Sequence, residues 1–244
     1  YTPIVEEATE EITYARARDT IIQALSPLGE NYLNILRQGF AQRWIDVYET
    51  PGKRGGAYSG GAYGTQPFIL MNFQNKRESM FTLAHELGHS MHSYFTRHNQ
   101  PYQYGDYTIF VAEVASTLNE GLLTEYLLKS TDDKAVRIAI LNHALEDIRA
   151  TLFRQTMFAE FEQQIHHEAE QGEALTADTL TALYKTLNGK YYGGEAIIDD
   201  LIGIEWARIP HFYYNFYVYK YATGIAAANA LAQNIIREGQ PAVD

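Results

Sequence analysis

"FTLAHELGHSMHSYF", residues 81–95, holds three histidines and a glutamate within the eight positions from His85 to His92. Met80, Leu83, Ala84, Leu87 and Met91 recur at i, i+3, i+4, i+7 and i+11, which is one apolar stripe of a helix. The spacing predicts a helix over 78–95. His85 and His89 stand one turn apart on the same side of it.

Two imidazoles at i and i+4 can reach one metal ion without straining the backbone. Glu86 follows the first of them, where its carboxylate can address a water on the ion. Together they make the HExxH pattern of zinc metallopeptidases. The competing reading is a core helix with two surface histidines. Gly88 costs a helix about 1 kcal/mol relative to Ala, so a small residue there makes room for another backbone or a substrate. His92 completes the i, i+4, i+7 row. It reads as a packing or supporting residue, because a catalytic zinc normally takes three protein ligands and keeps one position for water.

A third ligand is then needed. His98 lies close but falls in the expected loop. Glu113, in "FVAEVASTLNEGLL" (110–123), is the better candidate. Phe110, Val111, Val114, Ala115, Leu118 and Leu122 make the apolar side of a helix expected over 108–129. Glu113, Thr117 and Glu120 fall on another face. A carboxylate on a partly buried helix is costly unless a cation or donor satisfies it; the competing reading is a solvated acidic face. Glu120, one heptad after Glu113, suits the role of orienting a ligand histidine.

Working outward, helices are expected over 4–25 and 30–45, with "SPLGE" breaking between them. Residues 51–66, "PGKRGGAYSGGAYGTQ", carry six glycines and preclude a helix. "PFILMNF" (67–73) reads as a short buried strand with "GAYSGGAYG" (56–64) as a strand or hairpin beside it. That glycine-rich strand is either a turn-rich connection or an exposed edge able to pair with an extended peptide. Further helices are expected over 133–171, 178–188, 194–207 and 211–237. The 133–171 stretch is long for a globular helix and is expected to bend or split. Gly172, Gly189 and Gly239 read as helix stops. The fold class is mainly α, with a small β-sheet or hairpin near residues 56–73, and 1–244 reads as one domain.

The 244 residues are 46% hydrophobic, enough for a real core. A net charge of -11 argues against a nucleic-acid partner and leaves no basic patch for a membrane surface. No apolar run approaches the roughly 18 residues of a membrane span. Cysteine is absent, which excludes disulfides and thiolate zinc sites and fits a cytoplasmic protein. The chain opens on Tyr1 rather than Met and reads as a segment of a longer protein, so the lack of a visible signal peptide carries little weight.

Nineteen tyrosines are unevenly spread. In "RIPHFYYNFYVYKYATG" (208–224), Pro210 suits a helix start. Tyr214, Tyr217 and Tyr221 then share one face, and His211 precedes them by a turn. A neutral hydroxyl or imidazole can donate to an oxyanion without bringing a competing charge. The other reading is an aromatic stripe serving core or interface. The small residues of "ATGIAAANALA" (222–232) indicate close helix packing.

These residues resemble a known family. "HELGHSMHSYF", "FVAEVASTLNE", "FRQTMFAEFE" and "ARIPHFYYNFYVYKYATG" are similar to segments of the thimet oligopeptidase and oligoendopeptidase F family of zinc peptidases, specifically its bacterial oligoendopeptidase F branch. The resemblance runs over essentially the whole chain. It implies a zincin-like fold of gluzincin type, one Zn2+ held by His85, His89 and Glu113, and Glu86 as general base. It implies that a histidine and tyrosines of the late aromatic segment stabilise the transition state, which points to His211 with Tyr217, Tyr221 and Tyr214. The thimet branch has a glycine pair where this chain has "FYYNF". The resemblance also implies that the glycine-rich strand lines the substrate cleft. Family members add an N-terminal helical region and further C-terminal helices, so the chain is expected to be the catalytic core.

The expectation is a zinc endopeptidase that cleaves short oligopeptides, with zinc-activated water as nucleophile. The rivals are a metallocarboxypeptidase on a similar scaffold, with Arg154 or Lys220 as anchor for a terminal carboxylate, and a non-catalytic zinc-stabilised helical module.

Overall fold

Residues 11–194 and 196–243 are described by a computed structural model. They fall into two compact units, Tyr1–Leu145 with Gly224–Asp244, and Glu146–Thr223.

Among the described residues the first helix of the first unit is α1 (Tyr14–Ala24), where Thr13 Oγ1 accepts the Arg16 N–H and so satisfies a first-turn donor. Ala17, Ile21 and Ala24 are its buried face. The expected start at residues 4–10 lies outside the described residues. Helix α2 (Gly29–Ala41) follows a short 3-10 turn and stops before the expected residue 45. Gly39 is needed there, since a Cβ would come within 2.7 Å of the buried Trp44 ring.

The chain then enters a three-stranded sheet of β1 (Ile45–Asp46), β2 (Tyr58–Gly60) and β3 (Phe68–Leu70), in the order β1-β3-β2. Strands β2 and β3 pair antiparallel with Ser59 opposite Ile69, as the "GAYSGG" and "PFILMNF" patterns suggest. Strand β1 is a correction. It runs parallel to β3 with Ile45 opposite Ile69 where a helix end was expected.

Helix α3 (Arg77–Asn99) crosses this unit, with Met80, Phe81, Leu83, Ala84, Leu87 and Met91 buried along its stripe. It runs a turn further than expected, so His98 is helical rather than in a loop. Its imidazole stacks on Tyr94 at 3.8 Å and bonds the Tyr94 carbonyl. The next helix begins later than expected, at α4 (Val114–Ser130), after a 3-10 turn over Ile109–Val111 that leaves Phe110 exposed instead of on an apolar face. Buried Asn119 of α4 donates to the Ala84 carbonyl (3.1 Å) and accepts from the Tyr32 hydroxyl (3.1 Å), fastening α4 to α3 and α2. Helix α5 (Lys134–Asp147) follows. Within α8 (Tyr219–Glu238), Ile225, Ala228, Ala232 and Ile235 are buried, and Ala232 packs on Gly121.

In the second unit the long helical stretch is split, as expected. A π-helix at Ile148–Phe153 leads into α6 (Arg154–Glu170). Gly172, with φ +84°, follows the end of α6. Helix α7 (Ala177–Tyr192) starts on a Thr176/Thr179 capping box and passes through Gly189, which is therefore not a stop. The helix expected over 194–207 is instead a 3-10 helix at Asp200–Arg208; Glu195 lies outside the described residues. Met157, Phe158, Phe161, Tyr184, Leu187, Ile209 and Val218 form the core. Glu205 is held by Arg154 (2.6 Å) and the Tyr184 hydroxyl (2.7 Å). No helix among the described residues is long and apolar enough to cross a membrane.

Candidate active site

The apolar stripe of α3 turns His85 and His89 to one side, and their rings meet edge to face at 4.8 Å. Their Nε2 atoms are 3.1 Å apart. Glu113 sits immediately before α4, and its Oε2 lies 3.4 Å from each Nε2. The approach depends on glycine: a Cβ on Gly88 would stand 2.5 Å from the Ser116 Cα, so no larger residue fits between α3 and α4. From the other side Gly224 abuts the Cβ of Glu113.

Neighbours hold two of the three groups. Ser116 Oγ sits 3.0 Å from the Glu113 carbonyl and 3.1 Å from its Oε2. Glu120 Oε2 faces His85 Nδ1 at 3.2 Å. In the neutral ring, a proton on Nδ1 points at Glu120 and leaves the Nε2 lone pair for the centre of the site. Burial works against a charged imidazole, yet the bonds to Glu113 and Glu120 hold the His85 pKa up at about 10. Burial likewise opposes ionisation of Glu113, and the two imidazoles overturn it, keeping the carboxyl well below the usual range. The centre therefore favours positive charge.

That geometry fits a metal. A tetrahedral zinc with bonds of about 2.0–2.1 Å needs donor separations of about 3.3–3.4 Å. The three donors, 3.1, 3.4 and 3.4 Å apart, make such a face. His85, His89 and Glu113 thus form a group able to hold a metal ion.

Glu86 is buried beside this group. Burial pushes its carboxyl above the usual range; the neighbouring His85 and His89, and then the Ser59 backbone N–H from β2, oppose that rise. Ser59 also meets Ser90 of α3, Oγ to Oγ at 2.8 Å. His92 stays outside the donor set. It stacks on Tyr107 at 3.6 Å, its Nδ1 has no hydrogen-bond partner among the described residues, and burial pushes its pKa down to about 4.

The aromatic segment of the second unit departs from the expected helix. Residues Pro210–Tyr213 form a 3-10 turn and α8 begins only at Tyr219, so helical spacing does not align Tyr214, Tyr217 and Tyr221. A turn with Phe216 at φ +58° brings them together instead. The Tyr217 ring lies 5.5 Å from His211, 5.9 Å from Tyr214 and 5.9 Å from Tyr221, and His211 lies 6.3 Å from Tyr221. Tyr214 is exposed. Buried Lys220 donates to the Tyr217 hydroxyl (2.9 Å) and sits over the Tyr217 ring, and Arg154 is paired with Glu205. Both proposed carboxylate anchors are thus engaged within the protein. Sequence reasoning missed Ser59 and Ser116. The hydroxyl three residues after Glu113 was the available sign for Ser116; nothing in the glycine-rich segment marked Ser59.

A helical scaffold carrying an HExxH helix, with a carboxylate from the next helix as third donor, defines the class: a metallopeptidase-type centre. The chain belongs to peptidase family M3, which it matches over residues 5–243. It is 59% identical over 244 residues to the oligopeptidase PepF of Bacillus subtilis (strain 168), covering 100% of this chain and 36% of that protein. It is 51% identical over 236 residues to the chromosomal oligoendopeptidase F of Lactococcus lactis subsp. cremoris, covering 97% of this chain and 39% of the relative. The crystal structure of oligoendopeptidase-F from Enterococcus faecium superposes with a TM-score of 0.69 at 40% identity, covering 100% of this chain and 36% of that one. The chain thus spans well under half the length of these relatives.

Proposed function

We propose that residues 1–244 form the catalytic domain of a zinc-dependent endopeptidase acting on internal bonds of short, unstructured oligopeptides in the cytoplasm. The observation that carries this reading is the triangle of His85 Nε2, His89 Nε2 and Glu113 Oε2, with the buried carboxylate of Glu86 beside it. Family membership and the names of the relatives support it.

His85, His89 and Glu113 would hold the zinc, which when bound supplies a Lewis acid that acidifies water and polarises a carbonyl. Glu86 takes the proton of the attacking water and returns it to the leaving amine. Its burial raises its proton affinity in the direction a general base needs. Glu120 keeps His85 in the tautomer that offers Nε2. The outer edge of β2, where Ser59 points toward α3, offers backbone groups to an extended peptide. His211, Tyr217, Tyr221 and Tyr214 would donate to the oxyanion of the tetrahedral intermediate.

The experiment is Glu86→Gln in the complete polypeptide, with metal analysis beside a peptide-cleavage assay. Zinc is retained at one equivalent and cleavage falls by about a thousandfold. Undiminished cleavage, or wild-type protein without zinc affinity, removes the proposal.

A further inference from the structure

Phe216 carries a left-handed backbone, φ +58°, a region that bulky residues generally avoid. It sits third in a turn closed by the Tyr217 N–H donating to the Tyr214 carbonyl at 3.0 Å. A positive φ at that position suits Gly or Asn, not Phe. The Phe216 ring is more than half exposed, so burial of the ring does not hold the turn.

What holds it lies on one face of α6. Glu162, 2% exposed, accepts the Phe216 N–H at 2.7 Å. One turn later on α6, the His166 ring packs on the Phe216 ring at 4.7 Å. A carboxylate beside Met157, Phe158 and Phe161 in a core is costly unless a donor meets it. This one meets a backbone amide that the left-handed conformation turns toward it. The residue directly after Phe216 is Tyr217, the member of the cluster that touches His211, Tyr214 and Tyr221.

We propose that Glu162 is a positioning residue: its carboxylate clamps the Phe216 amide, fixes the 214–217 turn and so sets the Tyr217 ring against His211. The clamp stands on the geometry of the second unit. Its consequence for catalysis rests on the reading of His211 and Tyr217 as oxyanion donors.

The test uses Glu162→Ala, Glu162→Gln and the double variant Glu162→Ala/Phe216→Gly in the complete polypeptide. Hydrogen exchange at the Phe216 amide, zinc content, kcat and KM are read for each. Gln keeps an acceptor and stays close to wild type. Ala exposes the Phe216 amide and lowers kcat about tenfold, with KM and zinc content little changed. Adding Phe216→Gly to Ala recovers kcat, because glycine adopts the left-handed turn unaided; a general packing defect would not be repaired this way. Glu162→Leu, which keeps volume and removes the acceptor, replaces Ala if that variant does not fold. Slow exchange at Phe216 without Glu162, or no recovery in a folded double variant, overturns the proposal. An exposed Phe216 amide with kcat intact upholds the clamp and overturns instead the catalytic reading of the tyrosines.

Discussion

Gly88 and Ser116 bring α3 and α4 into backbone contact, with room for a hydrogen on Gly88 and not for a methyl group. Gly88 adjoins His89, and Ser116 holds Glu113, so this contact sets the distance between the paired histidines and the third donor. Gly88→Ala is expected to destabilise the protein by about 1–3 kcal/mol through overpacking. It should weaken zinc binding as Glu113 is pushed outward. Chelator competition and denaturant unfolding measure the two effects, and wild-type zinc affinity in this variant would show that the helix contact does not gauge the site.

Glu120 touches the proposed metal only through His85. Glu120→Ala should lower zinc affinity about 10–100-fold while leaving α4 folded, because ring orientation and tautomer are lost together. Glu120→Gln keeps an oxygen that can accept the Nδ1 proton and should lose less. Equal zinc affinity in all three proteins would contradict the assignment.

The Glu205 cluster predicts a pH dependence in the second unit. Burial opposes ionisation of Glu205, but the Tyr184 hydroxyl and the Arg154 and Arg208 guanidinium groups outweigh it and lower the pKa. A carboxyl whose folded pKa lies below its unfolded one binds protons more readily in the unfolded chain. Its stabilisation is therefore complete above the ordinary carboxylate range and is lost as pH falls through the folded value. Hydrogen-exchange protection factors in α7, corrected for the intrinsic rate, should fall on acidification below about pH 4.5, the unfolded carboxylate range. Glu205→Gln should cost roughly 2 kcal/mol at neutral pH and flatten the acid response. A variant with the wild-type pH profile would refute this.

Substrate polarity provides another check. With Arg154 tied to Glu205 and Lys220 to Tyr217, neither is offered to a substrate carboxylate. A peptide acetylated and amidated at its ends should be cleaved internally at a rate comparable to its unblocked form. Cleavage confined to peptides with a free C-terminus would restore the carboxypeptidase alternative.

The clustering of the candidate metal donors was legible because helical period alone brings His85 and His89 together, and because a carboxylate on a half-apolar helix demands a partner. Glu120 followed from the same period. The tyrosines were legible as a set but not in their conformation. Helical spacing placed them on one face, whereas a left-handed Phe216 interrupts the helix and gathers them by a turn. No residue pattern announces that turn, since its clamp comes from Glu162, far away in sequence. Strand β1 escaped notice because two residues cannot display a period of two, and Ile45 belongs to a sheet only through β3. The long 133–171 stretch could be read as split, but the π-helix between α5 and α6 leaves no mark in side-chain spacing.

The first unit is made of two stretches of chain separated by the whole of residues 146–223, and its second stretch starts with Gly224, the residue packed on Glu113. During synthesis the ribosome therefore releases His85, His89 and Glu113 well before the residue that backs Glu113 exists. A nascent chain stalled within residues 146–223 carries the three candidate ligands without that backing, which arrives only with the returning helix.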